Sequence, residues 1–141
     1  MTEGDKLTNG CLAAIFVPIM LIMIISMFMQ STDKPVTADE LSAIRQIDDQ
    51  KAEFSIKEFS DSNGIFSVRI NLNFVPRSHA QVAQITNSLV SDILTIFKAK
   101  GIQRDISVWA ERPENENFIR VFGNSFYSHM SGELKYKPKN Y

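Results

Sequence analysis

The chain is almost devoid of cysteine, poor in histidine and without a surplus of charge of either sign. Its one cysteine, Cys11, borders a long apolar run. Residues 38–141 can therefore form no disulfide, and cysteine usage does not report the redox compartment. The two histidines, His79 and His129, do not share a helix with a second ligand one turn away, so no recognisable metal motif is present. Lys and Arg number 15 against 16 Asp and Glu. Such a balance supplies no field to steer nucleic acid, and none is expected as a partner. There is no Asn-x-Ser/Thr sequon, no Gly-x-Ser-x-Gly elbow, no glycine-rich phosphate loop and no Cys-x-x-Cys. The acid pairs Asp48-Asp49 and Glu114-x-Glu116 fall in segments expected to face solvent, where nothing would drive their pKa values apart. The expectation is a protein that is not an enzyme, with no catalytic residues, no metal and no cofactor.

What the chain does have is residues 11–29, CLAAIFVPIMLIMIISMFM, without a single charge. At helical rise these nineteen residues reach roughly 28 Å, close to the hydrocarbon thickness of a bilayer. They predict one membrane-spanning helix after a short head, residues 1–10, and before a polar linker, residues 30–37. Pro18 inside the run removes one backbone hydrogen bond, which membrane helices tolerate. Gly10 and Ala14 form a small-xxx-small pair through which two such helices could approach.

The run is longer than the apolar core of a secretory signal, and its leading segment carries Glu3 and Asp5 with only Lys6 as a basic residue. A secreted domain released after Ala38, at Val36-Thr37-Ala38, is the alternative. Basic residues on the two flanks are nearly tied, and the positive-inside rule counts those alone. The short head and long tail favour a signal anchor with the soluble domain on the non-cytosolic side, periplasmic or extracellular.

Residues 38–141 suit one compact domain. Thr37-Ala38-Asp39-Glu40 reads as a capping box, and Leu41, Ile44 and Ile47 follow at helical spacing, predicting a helix over 38–50. Phe54 and Ile56 alternate with polar neighbours, the phase slips near Glu58-Phe59, and Asn63-Gly64 supplies a hairpin turn. Phe66, Val68, Ile70, Leu72 and Phe74 mark the second strand. Ser78-His79-Ala80-Gln81 opens a helix over 79–100 with the stripe Val82, Ile85, Leu89, Ile93 and Phe97, ending at Gly101. A third strand surrounds Ile106 and Val108, and residues 112–117 (RPENEN) read as a polar turn. A fourth strand spans 118–128, and a short fifth holds Leu134 and Tyr136. The fold class expected is α+β, of order α-β-β-α-β-β-β, with an antiparallel sheet of about five strands and the long helix packed across it.

One helix covers one sheet face, yet the later strands look apolar on both. Trp109 opposes Ile106 and Val108 in parity, while Phe122 and Phe126 oppose Val121 and Tyr127. Either the short helix folds over the second face, the preferred arrangement because its own stripe must be buried, or Trp109, Phe122 and Phe126 form a partner-binding patch. Lys135, Lys137 and Lys139 alternate along the last strand. They could meet anionic lipid or simply protect a sheet edge from pairing. The function expected is a single-pass membrane protein whose soluble domain binds another protein, or itself, as an assembly, adaptor or accessory component of a membrane or envelope complex. The alternative is a tethered small-ligand sensor or enzyme with a pocket between sheet and short helix, marked by a polar cluster near Arg69, Arg120 or His129.

Overall fold

The computed structural model describes residues 34–139. The expected span at 11–29 and the pair Gly10 and Ala14 lie outside the described residues. Among those described, no helix is long and apolar enough to cross a membrane.

Two helices and five strands follow in the order α1 (Ala38–Gln50), β1 (Phe54–Ser62), β2 (Ile65–Leu72), α2 (His79–Lys100), β3 (Asp105–Asn115), β4 (Phe118–Ser128) and β5 (Glu133–Pro138). Glu40 caps α1 from within: its carboxylate accepts the Thr37 backbone N–H at 2.7 Å and also the Thr37 hydroxyl. The Ser78 hydroxyl accepts the Gln81 N–H at the start of α2, and Gly101 ends that helix with its N–H on the Lys98 and Phe97 carbonyls. Asn63 and Gly64 both hold positive φ, 55° and 75°, as a tight turn between twisted strands demands.

The strands stand in chain order, β1-β2-β3-β4-β5, in one sheet. The sheet is mixed, which corrects the antiparallel expectation. β2 and β3 pair in parallel, from Ile65 with Asp105 to Asn71 with Glu111. The cause is α2: at about 1.5 Å per residue its 22 residues carry the chain back along the whole sheet. A strand entered after such a return runs beside its predecessor in the same direction. The other three neighbour pairs are antiparallel.

The helix-side face of the sheet is the core. Phe54 and Ile56 of β1, Phe66, Val68, Ile70 and Leu72 of β2, and Ile106, Val108 and Ala110 of β3 meet Val82, Leu89, Ile93 and Phe97 of α2. The Phe66 and Phe97 rings pack edge to face with centroids 5.1 Å apart. α1 does not cover the opposite face. It packs against α2 and β1, buries Ile44 in the same core, and sets Arg45 over Phe59 at 4.9 Å. The apolar stripe of α1 is thus satisfied beside the long helix, on the side already occupied.

Register shifts fall at three places, one of them at Glu114 in the outer part of β3, and the other two set which residues share a face. In β1 the register slips between Ile56 and Glu58, leaving Lys57 as the extra residue. In β4 Gly123 pairs with Ala110 and Val121 with Glu111, so Phe122 is the extra one. The polar segment 112–117 is not a turn throughout, because β3 continues to Asn115 and only Glu116 and Asn117 turn. Pairing with β2 stops at Glu111 and pairing with β5 stops at Gly123. Residues 112–120 therefore project as a two-stranded arm carrying Phe118 and Ile119, 46% and 45% exposed.

Candidate functional site

The face of the sheet turned away from α2 carries two lateral rows set by register. Ser60, Ser67, Ser107, Phe126 and Lys135 lie side by side across the five strands. Glu58, Arg69, Trp109, Asn124 and Lys137 form the next row. Period-two alternation in each strand and the register between strands place these residues together. On the β3–β5 half they bound an open groove of about 720 Å³ with Trp109, Asn124 and Phe126 as floor. Lys135, Lys137, Lys139 and Glu133 stand along its β5 side. Among the described residues, no element lies over this groove.

Charge in the groove is unequal. Lys135 pairs with Glu133 at 3.3 Å, and Lys137 has no ion-pair partner among the described residues. The Lys139 ammonium lies 5.3 Å from the centroid of the Trp109 ring, within cation–π range. A backbone bond from Lys139 N–H to the Phe122 carbonyl, 2.9 Å, holds the end of β5 in place for that contact. The site is an aromatic floor beside a cationic wall.

The expected patch residues part company. Trp109 and Phe126 share the open face and line the groove. Phe122 packs against the core instead, because the bulge at that position breaks the alternation that would have aligned it with Phe126. Position in the chain alone could not reveal the slip.

The groups weighed for chemistry stay apart. His79 Nδ1 lies 3.2 Å from the Tyr136 hydroxyl, while the His129 ring and backbone N–H both meet Asp105 Oδ1, at 2.6 and 3.0 Å. Burial pushes the Asp105 carboxyl up, but the two hydrogen bonds from His129 and its charge outweigh burial and leave it below the ordinary range. Arg69 pairs with Glu58 at 3.2 Å and Arg120 with Glu114 at 2.7 Å. Arg69, Arg120 and His129 thus bind three separate acids and form no common cluster. Asp48 accepts the Ile56 N–H at 3.0 Å, a structural duty that its neighbour Asp49 does not share. No three His, Cys, Asp or Glu side chains gather as a metal site among the described residues. Where α1 hands over to β1, the space lined by Lys51, Phe54, Ile85 and Leu89 is only about 20 Å³, room for a water and not for a ligand.

Two polar groupings escaped the sequence. Thr86 Oγ1 and Ser125 Oγ stand 2.6 Å apart between α2 and β4, and Ser125 donates to Asn87 Oδ1 at 2.6 Å. Thr86 and Ser125 are fully buried, so this chain of hydroxyls fastens helix to sheet and is closed to substrate. On the open face, Lys57 Nζ bonds Glu111 Oε1 at 2.9 Å across 54 positions of sequence. Only the bulge at Lys57 hints that its side chain is aimed differently from the strand's average.

No protein-family model matches the chain, and neither a curated protein nor a solved structure matches it significantly. The reading of function therefore rests on the groove and on the apolar run that precedes the domain.

Proposed function

We propose that the chain is a single-pass membrane protein whose α+β domain holds another protein through the helix-free face of its sheet. It would serve as an assembly, adaptor or accessory component of a membrane or envelope complex, with the domain on the non-cytosolic side. One observation carries the reading: Trp109 and Phe126 lie on a sheet face that neither α1 nor α2 covers. Aromatic side chains left outside a core, ringed by polar groups, are characteristic of contact surfaces. The uncharged run at 11–29 supplies the tether. Confinement near the bilayer raises the effective concentration of a partner in the same membrane, so modest contacts suffice.

The test is purification of the full chain in mild detergent beside its Trp109→Ser variant. The expected result is a stoichiometric partner, or a homo-oligomer, that accompanies the wild type and is lost from a normally folded variant. A monomer across detergents, or association indifferent to Trp109, contradicts it.

A second reading is favoured by the groove's size, which falls within the roughly 300–1,000 Å³ of small-molecule sites. A tethered sensor of a small anionic compound would use the same floor and wall. A rise in melting temperature with such a compound in a metabolite panel, absent in Trp109→Ser, supports that reading over the first.

A further inference from the structure

We infer that the occupant of the helix-free groove is an acidic, partly apolar segment of the partner protein, lying on Trp109 and Phe126 with its carboxylates against Lys135 and Lys137. The inference rests on the proposed partner-binding role and names the chemistry of the partner. Three cations and one acid stand along the groove, and the acid is already committed to Lys135. Lys137 has no counter-charge among the described residues, and Lys139 spends its charge on the Trp109 ring. An anionic partner supplies what the groove lacks, and a cationic one would be repelled.

The floor decides between a protein segment and a lipid surface. Trp109 belongs to β3, two strands inside the β5 edge, a lateral distance of about 10 Å. Trp109, Asn124 and Phe126 line a concave groove whose β5 side is the lysine row, and Asn124 and Ser107 are themselves buried. A bilayer surface, flat on this scale, meets the edge lysines without reaching Trp109. A single chain is narrow enough to enter and to use ring and ammonium together. The segment lies across the face and does not extend the sheet. The β5 edge, with alternating lysines and Pro138, is built to refuse another strand.

Trp109 is the chain's one tryptophan, so its emission reports the groove alone. The full chain in neutral-lipid nanodiscs is titrated with a short peptide alternating Glu and Leu. The same peptide with Lys in place of Glu and vesicles containing phosphatidylserine serve as separate arms. The expected result is a saturable emission shift with the acidic peptide, weaker at high salt, and a loss of affinity of roughly tenfold in Lys135→Glu/Lys137→Glu. Silence toward the acidic peptide, an equal response to the Lys peptide, or a response to vesicles alone overturns the inference. If partner association in detergent still depends on Trp109 while the Lys→Glu pair changes nothing, the acidic segment is refuted and the partner-binding role stands.

Discussion

The ring of Tyr136 in β5 occupies the space that a side chain on Gly123 in β4 would need. A Cβ at position 123 would stand 2.7 Å from Tyr136 Cζ and 2.6 Å from the Lys137 carbonyl oxygen. The second of these is backbone and cannot swing aside. Tyr136 also reaches the Phe122 carbonyl with its hydroxyl at 3.4 Å, so glycine at 123 and tyrosine at 136 together set how closely β5 lies on β4. The β5 lysines face the groove only while that spacing holds.

Gly123→Ala is therefore expected to destabilise the domain by about 1–3 kcal/mol, the usual cost of overpacking a tight site. Urea denaturation should show a lower midpoint with an unchanged slope. A midpoint equal to that of the wild type would mean that β5 moves outward freely, and the groove wall would then be loosely placed.

Lys57 and Glu111 give a second expectation. The Glu111 side chain is 3% exposed and bonds Lys57, whose own side chain is 36% exposed. Lys57→Met leaves a carboxylate nearly out of water without its cation. The cost is about 1–3 kcal/mol, below that of a fully buried pair because Lys57 still touches solvent. Lys57→Met/Glu111→Met should recover most of it in the same denaturation assay, since no unpaired charge remains. A double variant as unstable as the single one would refute the pairing.

Much of this domain was legible as sequence because several local signals agreed. The Thr37 to Glu40 box, the Ser78 cap and the Gly101 stop fixed both helices, and Asn63-Gly64 fixed the first hairpin. The strand pattern alone suggests an antiparallel β3, whereas α2 dictates a parallel one. A helix of that length between two strands is a crossover, and crossovers join parallel strands. The site was half legible. Alternation placed Trp109 on the face opposite Ile106 and Val108, but the bulge at Phe122 has as its one residue signal the neighbouring Gly123, which marks a bulge or a close approach without fixing which residue is extra. The packing of α1 was undetermined for a similar reason, since an apolar stripe needs a covering surface without specifying which one.

Acid should weaken the domain through two carboxyls. The Thr37 hydroxyl, with its backbone N–H and Lys100 adding to it, holds Glu40 below the ordinary range against the opposing effect of burial. Asp105 is lowered by His129 despite burial. A carboxyl depressed in the folded state stabilises at pH above its unfolded value, 4.5 for Glu40 and 3.8 for Asp105, and that stability is lost as pH falls through the folded value. Stability should therefore be flat near neutrality on their account and fall below about pH 4.5. In Glu40→Gln/Asp105→Asn, the slope of denaturation midpoint against pH over this acid range should be shallower. An unchanged slope would show that neither carboxyl is held in its ionised form by folding.

Trp109 and Phe122 should separate binding from stability. Trp109→Ser removes a partly buried ring that lies outside the core, with its contact to Lys139, a loss of about 1 kcal/mol. Phe122→Ser removes a ring packed against the core and should cost about 1–3 kcal/mol. Thermal unfolding and partner recovery, measured on both variants, should give a stable non-binder in the first case and a destabilised protein in the second. A Trp109→Ser domain that fails to fold would return Trp109 to the core.

The working surface is tested most directly by site-specific photo-crosslinking of the full chain in intact cells. A photoreactive residue at position 109 addresses the groove floor, and one at Ser91, exposed on α2, addresses the opposite side. The expected result is a discrete adduct from 109, reduced in Lys135→Glu/Lys137→Glu, with none from 91. A discrete adduct from 91 with none from 109 would contradict it and place the partner on the helical side of the domain.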